Sequence, residues 1–159
     1  MGKIYVAYGS NMNVKQMGIR CPTATRITTG WIEGYELLFK GATNNAYATI
    51  EPNAEANVDV VLWEIEETDE RHLDRYEGYP QFYTKENVTV QMSNGCSVEG
   101  MVYVMDHAQK LGMPSMEYFK TVLEGYLEND IDPVNFVNAL ANSFSKQSEV
   151  MEPVQKMEM

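Results

Sequence analysis

Glu77 is the strongest candidate for acid–base chemistry in this sequence. It lies in the segment Leu73–Pro80, at the C-terminal end of a predicted helix, and is crowded by tyrosine and phenylalanine residues. The C-terminal end of a helix carries partial negative charge, so the helix dipole and burial both act to raise the pKa of a carboxylate there. A raised pKa suits a general acid or base near neutral pH. The alternative is a glutamate that faces solvent just before a C-capping glycine.

A second candidate is the turn Gly9-Ser10-Asn11, which follows the short apolar and aromatic run Ile4–Tyr8. The run predicts a buried strand, and the residues after the turn are compatible with a helix. We expect Gly9 to adopt a backbone conformation that a side chain would forbid, and Ser10 or Asn11 to cap the helix. Outward-pointing amides in such a turn can bind an anion or a developing oxyanion. An ordinary connection between strand and helix is the alternative.

Other kinds of catalytic site have less support. His72 and His107 are far apart in the sequence, so no set of ligands for zinc or iron is visible. The Gly9 turn lacks the Gly-Lys-Ser/Thr ending of a phosphate-binding loop, and Ser10 lacks a Gly-x-Ser-x-Gly elbow. A serine triad assembled only in three dimensions stays open. We predict neither a metal nor another cofactor.

Composition restricts the partners of this chain. The 159 residues are enough for one domain with a hydrophobic core, and the net charge of −11 comes from 12 basic and 23 acidic residues. This balance argues against nucleic acid or an anionic membrane as a partner. Cys21 and Cys96 have no metal-binding spacing and are too few for a disulfide framework. No targeting or membrane-spanning segment is visible, so we expect a cytoplasmic protein.

The elements that must position these candidates follow the order β-α-β-β-β-α-β-β-α-α. Strands are predicted before Gly9, around 23–39 with a break at Gly34, at 47–50 up to Pro52, and at 58–65, with a polar turn at 51–57. Thr68 should cap the helix that ends at Gly78, and Asn94-Gly95 should join the strands 83–92 and 98–105 as a hairpin. Successive strands of this kind indicate an α+β fold with a curved, partly antiparallel sheet.

The last third of the chain changes to helices. Ser115 and Asp132-Pro133 precede two helical segments, of which the first covers about 116–129. We expect the second helix to form an apolar stripe from Val134, Val137, Leu140, Ala141 and Phe144. Residues 146–159 are polar without an apolar period and are predicted to be a tail beyond a single domain, 1–145.

Three segments together resemble the gamma-glutamylcyclotransferase family, which includes the AIG2-like proteins. Tyr8-Gly9-Ser10-Asn11 is similar to the signature turn of that family, and the segment 73–83 is similar to its catalytic segment, with Glu77 at the position of the acid. Pro114-Ser115-x-x-Tyr118, followed by Gly125, resembles a later family segment. The matches come in the family order and cover about residues 4–128. The resemblance implies a small, mixed, barrel-like sheet with flanking helices.

The resemblance also implies a reaction. In such an enzyme the α-amine of a gamma-glutamyl compound attacks its own γ-carbonyl and releases 5-oxoproline and an amine or amino acid. Glu77 would move the protons, the amides of Tyr8, Gly9, Ser10 and Asn11 would hold the glutamyl carboxylate or the oxyanion, and Tyr83 and Tyr118 would line the pocket. A small-molecule gamma-glutamyl substrate is thus the expected partner. The leaving group is not determined by any motif, and a homodimer stays open.

Two other functions remain in competition at this point. One is a binding or interaction module that keeps the pocket but has lost turnover. The other is a hydrolase that uses water in place of the α-amine and releases glutamate. The intact Glu77 favours the cyclotransferase over the binding module.

Overall fold

The structure, a computed structural model, describes residues 2–145 as a closed five-stranded barrel flanked by helices. The strands are β1 (Lys3–Ala7), β2 (Thr25–Lys40), β3 (Tyr47–Ile65), β4 (Tyr83–Gln91) and β5 (Ser97–Met105). The helices are α1 (Val14–Arg20), α2 (Glu67–Glu77), α3 (Met116–Glu128) and α4 (134–145), and a 3-10 helix covers Ser10–Met12. The α+β class and the barrel-like sheet expected from the sequence are confirmed.

The barrel has the strand order β1-β3-β2-β4-β5 and closes where β5 meets β1. The closing pair is parallel, with Tyr5 opposite Met101, whereas the other neighbouring strands are antiparallel. The carboxyl ends of β1 and β5 and the start of β4 therefore lie at the same end of the barrel. Apolar side chains of all five strands fill the interior, among them Val6, Ile32 and Val60.

The prediction that Pro52 stops a strand was wrong. β3 runs without interruption from Tyr47 to Ile65 and pairs with β2, which is also continuous. Pro52 lies opposite Tyr35, next to a register shift in which Gly34 has a φ of +80°. Proline is tolerated at such a bulge, and here it lies outside the part of β3 that pairs with β1.

The helix starts differ in part from the predictions. Helix α2 is capped by Glu66, not by Thr68, because Glu66 and Asp69 exchange backbone and side-chain hydrogen bonds in a capping box. Its C-terminal end at Gly78 is confirmed, with a left-handed φ of 68°. The Asn94-Gly95 hairpin and the start of α3 after Ser115 are also confirmed.

The predicted apolar stripe of α4 was wrong as a buried face except at Leu140, which is partly buried against the core. Val134, Val137 and Phe144 are exposed, whereas Phe136 and Ala139 are buried. Phe136 contacts the rings of Phe39, Phe119 and Tyr126, and these contacts determine which face of α4 turns inward.

Several further expectations concern the rest of the chain. Cys21 is buried, Cys96 is exposed, and neither forms a disulfide, as predicted. No helix within residues 2–145 is both long and apolar enough to cross a membrane. The predicted polar tail, 146–159, lies outside the described residues.

Candidate active site

The candidate site is a cavity of about 190 Å³ at the end of the barrel where β1 and β5 finish. Seven tyrosines contribute to its wall. Every residue that the sequence suggested for the site also lines it, namely Tyr8, Gly9, Ser10, Asn11, Glu77, Tyr83 and Tyr118. The structure thus brings together side chains from the first turn, the end of α2, the start of β4 and the first turn of α3.

The turn after β1 forms one wall of this cavity. Gly9 precedes the 3-10 helix Ser10–Met12, so the amides of Gly9, Ser10 and Asn11 lie where helical N–H groups have no intrahelical acceptor. The expectation that Ser10 or Asn11 caps the following helix was wrong. Asn13 caps α1 instead, because its side chain accepts a hydrogen bond from the Gln16 amide.

The glycine at position 9 is required by a close contact. A Cβ atom at Gly9 would lie 2.9 Å from the hydroxyl oxygen of Tyr118 and 3.3 Å from the Cβ atom of Ala48. Helix α3 also packs closely on the residues after the turn, because a Cβ at Gly125 would lie 2.9 Å from the Asn13 nitrogen. The two glycines therefore allow α3 to lie close to the turn and to the residues that follow it.

The side chain of Asn11 links the turn to Glu77. Its amide nitrogen donates to the Tyr5 hydroxyl at 2.9 Å and to Glu77 Oε1 at 3.4 Å. The backbone carbonyl of Asn11 accepts a hydrogen bond from the Trp63 indole at 3.0 Å. Asn11 is almost fully buried, so these contacts hold its side chain in one orientation towards the acid.

Glu77 is the last residue of α2 and directs its carboxylate into the cavity. Burial raises the pKa of this carboxyl from its usual 4.5 to about 7, and the positive charge of Arg20 opposes the rise. Helix α2 is anchored to the barrel by Asp74, which accepts a 2.6 Å hydrogen bond from the Tyr103 hydroxyl and pairs with Lys85 at 2.9 Å. The position of Glu77 thus depends on contacts one helical turn earlier.

The hydroxyls of Tyr83 and Tyr118 meet the backbone of Ala48 in opposite senses. Tyr83 donates a hydrogen bond to the Ala48 carbonyl at 2.7 Å, so its hydroxyl proton is not available to a ligand. Tyr118 accepts from the Ala48 amide at 3.1 Å, so its own proton is available to a group in the cavity. Burial raises the pKa of Tyr118 above its ordinary value, and Tyr118 therefore stays a neutral donor.

Arg20, at the end of α1, contacts the turn, its own helix and Tyr76 of α2. Its guanidinium donates to Asn11 Oδ1 at 2.5 Å and to Gln16 Oε1 at 3.0 Å. The same group lies over the Tyr76 ring, 3.6 Å from its centroid. Arg20 is thus oriented by two neutral acceptors and an aromatic face.

Comparison with known proteins identifies the family. The family model described as gamma-glutamyl cyclotransferase, AIG2-like, matches residues 5–120. The chain belongs to this family. A Bos taurus gamma-glutamylcyclotransferase is 27% identical over 136 residues, which cover 80% of this chain and 72% of the relative.

Two solved structures share the fold. A gamma-glutamyl cyclotransferase aligns with a TM-score of 0.80 at 23% identity, over 89% of this chain and 87% of that one. A Homo sapiens protein described as uncharacterized aligns with a TM-score of 0.79 at 25% identity, over 88% and 86% of the two chains.

The residues of this gamma-glutamylcyclotransferase-family site that lie in recognisable segments are predictable from the sequence, and the others are not. Arg20, Tyr5, Tyr47 and Tyr103 reach the site from α1 and three strands, and none of them stands in a segment that signals chemistry. Arg20 had one local signal, because it follows Gln16 by one helical turn and can share its face. The strand tyrosines are indistinguishable in sequence from ordinary core residues.

Proposed function

We propose that this chain is a gamma-glutamyl cyclotransferase, which closes the glutamyl part of its substrate into 5-oxoproline and releases an amine or amino acid. One observation carries the proposal. Glu77, a carboxylate whose pKa burial raises to about 7, lines the same cavity of about 190 Å³ as the turn Gly9–Asn11. Family membership and the name of the Bos taurus relative support the same activity.

The reaction needs a proton to move from the attacking amine to the leaving nitrogen. An α-ammonium group has a pKa of roughly 8, about one unit above that of Glu77, so transfer between them costs little. Glu77 takes this proton, the free amine attacks the γ-carbonyl carbon, and a C–N bond forms. Glu77 then gives this proton to the leaving nitrogen as the original γ-amide C–N bond breaks. It next takes the second proton from the new ring nitrogen, which leaves a neutral lactam, and passes that proton to the released amine.

The remaining groups orient the substrate and bind its charge. The amides of Gly9, Ser10 and Asn11 bind the glutamyl carboxylate or the oxyanion that forms on the γ-carbonyl. The neutral Tyr118 hydroxyl donates a hydrogen bond to a substrate oxygen. The reaction is intramolecular, so holding the glutamyl chain bent supplies much of the rate enhancement. The sequence of steps uses only protein groups and the substrate.

The test is product analysis with a panel of gamma-glutamyl compounds. We expect 5-oxoproline from the wild-type protein and a loss of roughly 10²–10⁴-fold in Glu77→Gln. Glu86→Gln, on an exposed part of β4, is the matched control and should retain full activity. Free glutamate as the product would indicate a hydrolase, and ligand-induced thermal stabilisation without any product would indicate a binding module.

A further inference from the structure

The segment 106–115, called the connector below, joins β5 to α3 and lies against residues 39–46, the end of β2 and the loop after it. Backbone hydrogen bonds of 2.8–3.1 Å hold the two segments together, namely Gly41 N–H to Lys110 C=O, Ala46 N–H to Met113 C=O, Gly112 N–H to Phe39 C=O and Met113 N–H to Thr43 C=O. The second half of the connector is therefore fixed by its own backbone.

The first half of the connector is held by a buried side chain, that of Lys40 at the end of β2. The Lys40 ammonium donates to the His107 carbonyl of the connector at 3.0 Å and forms an ion pair with Glu51 of β3. A buried ion pair often adds little stability compared with apolar side chains of the same size. Among the described residues, neither member of this pair lines the cavity that contains Glu77. The pair therefore has no task in the reaction described above.

The connector leads directly to Tyr118 in the cavity wall. Ser115, its last residue, caps α3 by accepting a hydrogen bond from the Tyr118 amide at 3.1 Å. The Tyr118 ring meets the Tyr47 ring edge to face, with 5.1 Å between the centroids. Tyr47 is also the residue of β3 that lies opposite Lys40 of β2. Lys40 is thus linked to Tyr118 by two routes, through the connector and through Tyr47.

Resting on the proposed cyclotransferase activity, we propose that Lys40 is a positioning residue, which holds the connector so that the Tyr118 hydroxyl meets the substrate oxygen. Lys40 itself does not touch the substrate. Loss of its ammonium leaves the His107 carbonyl without this donor and the Glu51 carboxylate without this partner. The connector and the start of α3 then lose their fixed position. A displacement of about 1 Å at a catalytic group can cost roughly 10²-fold in rate.

The alternative is that Lys40 contributes only to the stability of the fold. That role predicts the same loss of rate whether or not Tyr118 carries its hydroxyl, whereas positioning predicts a loss that requires the hydroxyl. A double-mutant cycle separates the two. In 5-oxoproline release from the best substrate of the panel, Lys40→Met should lower kcat roughly tenfold in the wild type and less than about twofold in Tyr118→Phe. KM should change less than about threefold, because the hydroxyl acts mainly in the transition state.

Further variants separate the position of the connector from folding. Lys40→Met leaves a buried carboxylate unpaired, which lowers the melting temperature. Lys40→Met with Glu51→Gln removes that charge, so it should melt closer to the wild type while kcat stays low, because His107 still lacks the donor. Lys40→Arg keeps a charged donor and should recover part of kcat. Lys110→Met, which removes an exposed cation of the connector, is the matched control and should keep full kcat.

Failure of the inference and failure of the proposed function have separate readouts. A wild-type protein that releases 5-oxoproline, with equal losses from Lys40→Met in both backgrounds or with a kcat that recovers when Glu51→Gln is added, is a cyclotransferase in which Lys40 does not position Tyr118.

Hydrogen exchange without substrate tests the connector independently of turnover. The amides of Gly112 and Met113 should exchange at least about tenfold faster in Lys40→Met with Glu51→Gln than in Lys110→Met. If no panel compound yields 5-oxoproline, the cyclotransferase is refuted, and faster exchange still supports the hold of Lys40 on the connector. Unchanged exchange would overturn the inference whatever the activity.

Discussion

The side-chain amide of Asn11 donates a hydrogen bond to Glu77 Oε1 over 3.4 Å. This contact joins the turn after the first strand to the end of α2, which are 66 residues apart in the chain. The same Asn11 side chain accepts from Arg20, so the acid and the cation that lowers its pKa are connected through one residue. The protonation of Glu77 therefore depends on its burial and on the charge of Arg20, and Asn11 contacts both side chains.

The first prediction concerns the pH dependence of the rate. Glu77 must be deprotonated to accept the proton of the α-ammonium, so kcat/KM should fall as pH drops through about 7. Arg20 lowers the pKa of Glu77, so Arg20→Gln should move this acid limb to higher pH. The measurement is 5-oxoproline release between pH 5 and 9. An acid limb that stays in place in Arg20→Gln, or is absent in the wild type, would contradict the assignment of the base.

The second prediction concerns stability. The folded-state pKa of Glu77 lies above its usual 4.5, so the folded state binds a proton more tightly than the unfolded state does. The free energy of unfolding should therefore decline as pH rises from about 4.5 to 7, by up to about 3 kcal/mol, and then level off. Glu77→Gln removes this dependence and should be more stable than the wild type at pH 8.

Denaturant unfolding at pH 5 and pH 8 checks the stability prediction. The difference between Glu77→Gln and the wild type should be larger at pH 8. Glu86→Gln controls for the loss of one negative charge, because Glu86 is exposed and on another element. A stability difference that is the same at both pH values would show that the Glu77 carboxyl titrates as an ordinary glutamate.

The third prediction separates the tyrosine hydroxyls. Tyr118→Phe removes a donor whose proton is free, and we expect a loss of roughly 10- to 100-fold in kcat/KM. Tyr83→Phe removes a hydroxyl that donates to the Ala48 carbonyl. It should cost about 1 kcal/mol of stability and change kcat/KM only a few-fold. Steady-state kinetics and thermal unfolding of both variants distinguish the two roles.

Tyr126 supplies the matched control for the tyrosine variants. Its hydroxyl is buried and has no hydrogen-bond partner within the described part of the chain. Tyr126→Phe should therefore leave kcat/KM unchanged and be neutral or slightly stabilising. If Tyr118→Phe behaves in the same way, the Tyr118 hydroxyl has no part in the reaction.

The fourth prediction tests the close contact at the turn. In Gly9→Ala the new methyl group would lie 2.9 Å from the Tyr118 hydroxyl oxygen, so the turn or α3 must move. We expect a loss of about 1–3 kcal/mol in stability and at least about a tenfold loss in kcat/KM. Gly18→Ala is the control, because no atom beyond its chain neighbours and the nearby backbone of α1 lies within 4 Å of the new Cβ among the described residues. It should stabilise α1 by about 0.5–1 kcal/mol.

Local chemistry determined much of the site. The Gly9–Asn11 turn follows a short apolar strand, and Gly78 in the left-handed conformation ends α2 directly after Glu77. Gly9 is required by its contact with Tyr118 of α3, whereas the end of α2 follows from the backbone preference of Gly78 within a few residues. For the same reason the Asn94-Gly95 hairpin and the start of α3 were predictable from their neighbours. Even the direction of the Glu77 pKa shift followed from its crowded aromatic surroundings.

Only the tertiary structure decided which distant residues complete the cavity. Whether β3 passes Pro52 depends on the bulge opposite it in β2, and the inward face of α4 depends on the rings that surround Phe136. Arg20 of α1 lies over the Tyr76 ring because α1 packs beside α2, and no pattern within α1 predicts that packing. Strand register, closure of the barrel and burial depend on many contacts between residues that are far apart in the sequence. Sequence patterns predict the local backbone preferences, whereas the long-range contacts form only when the whole chain folds.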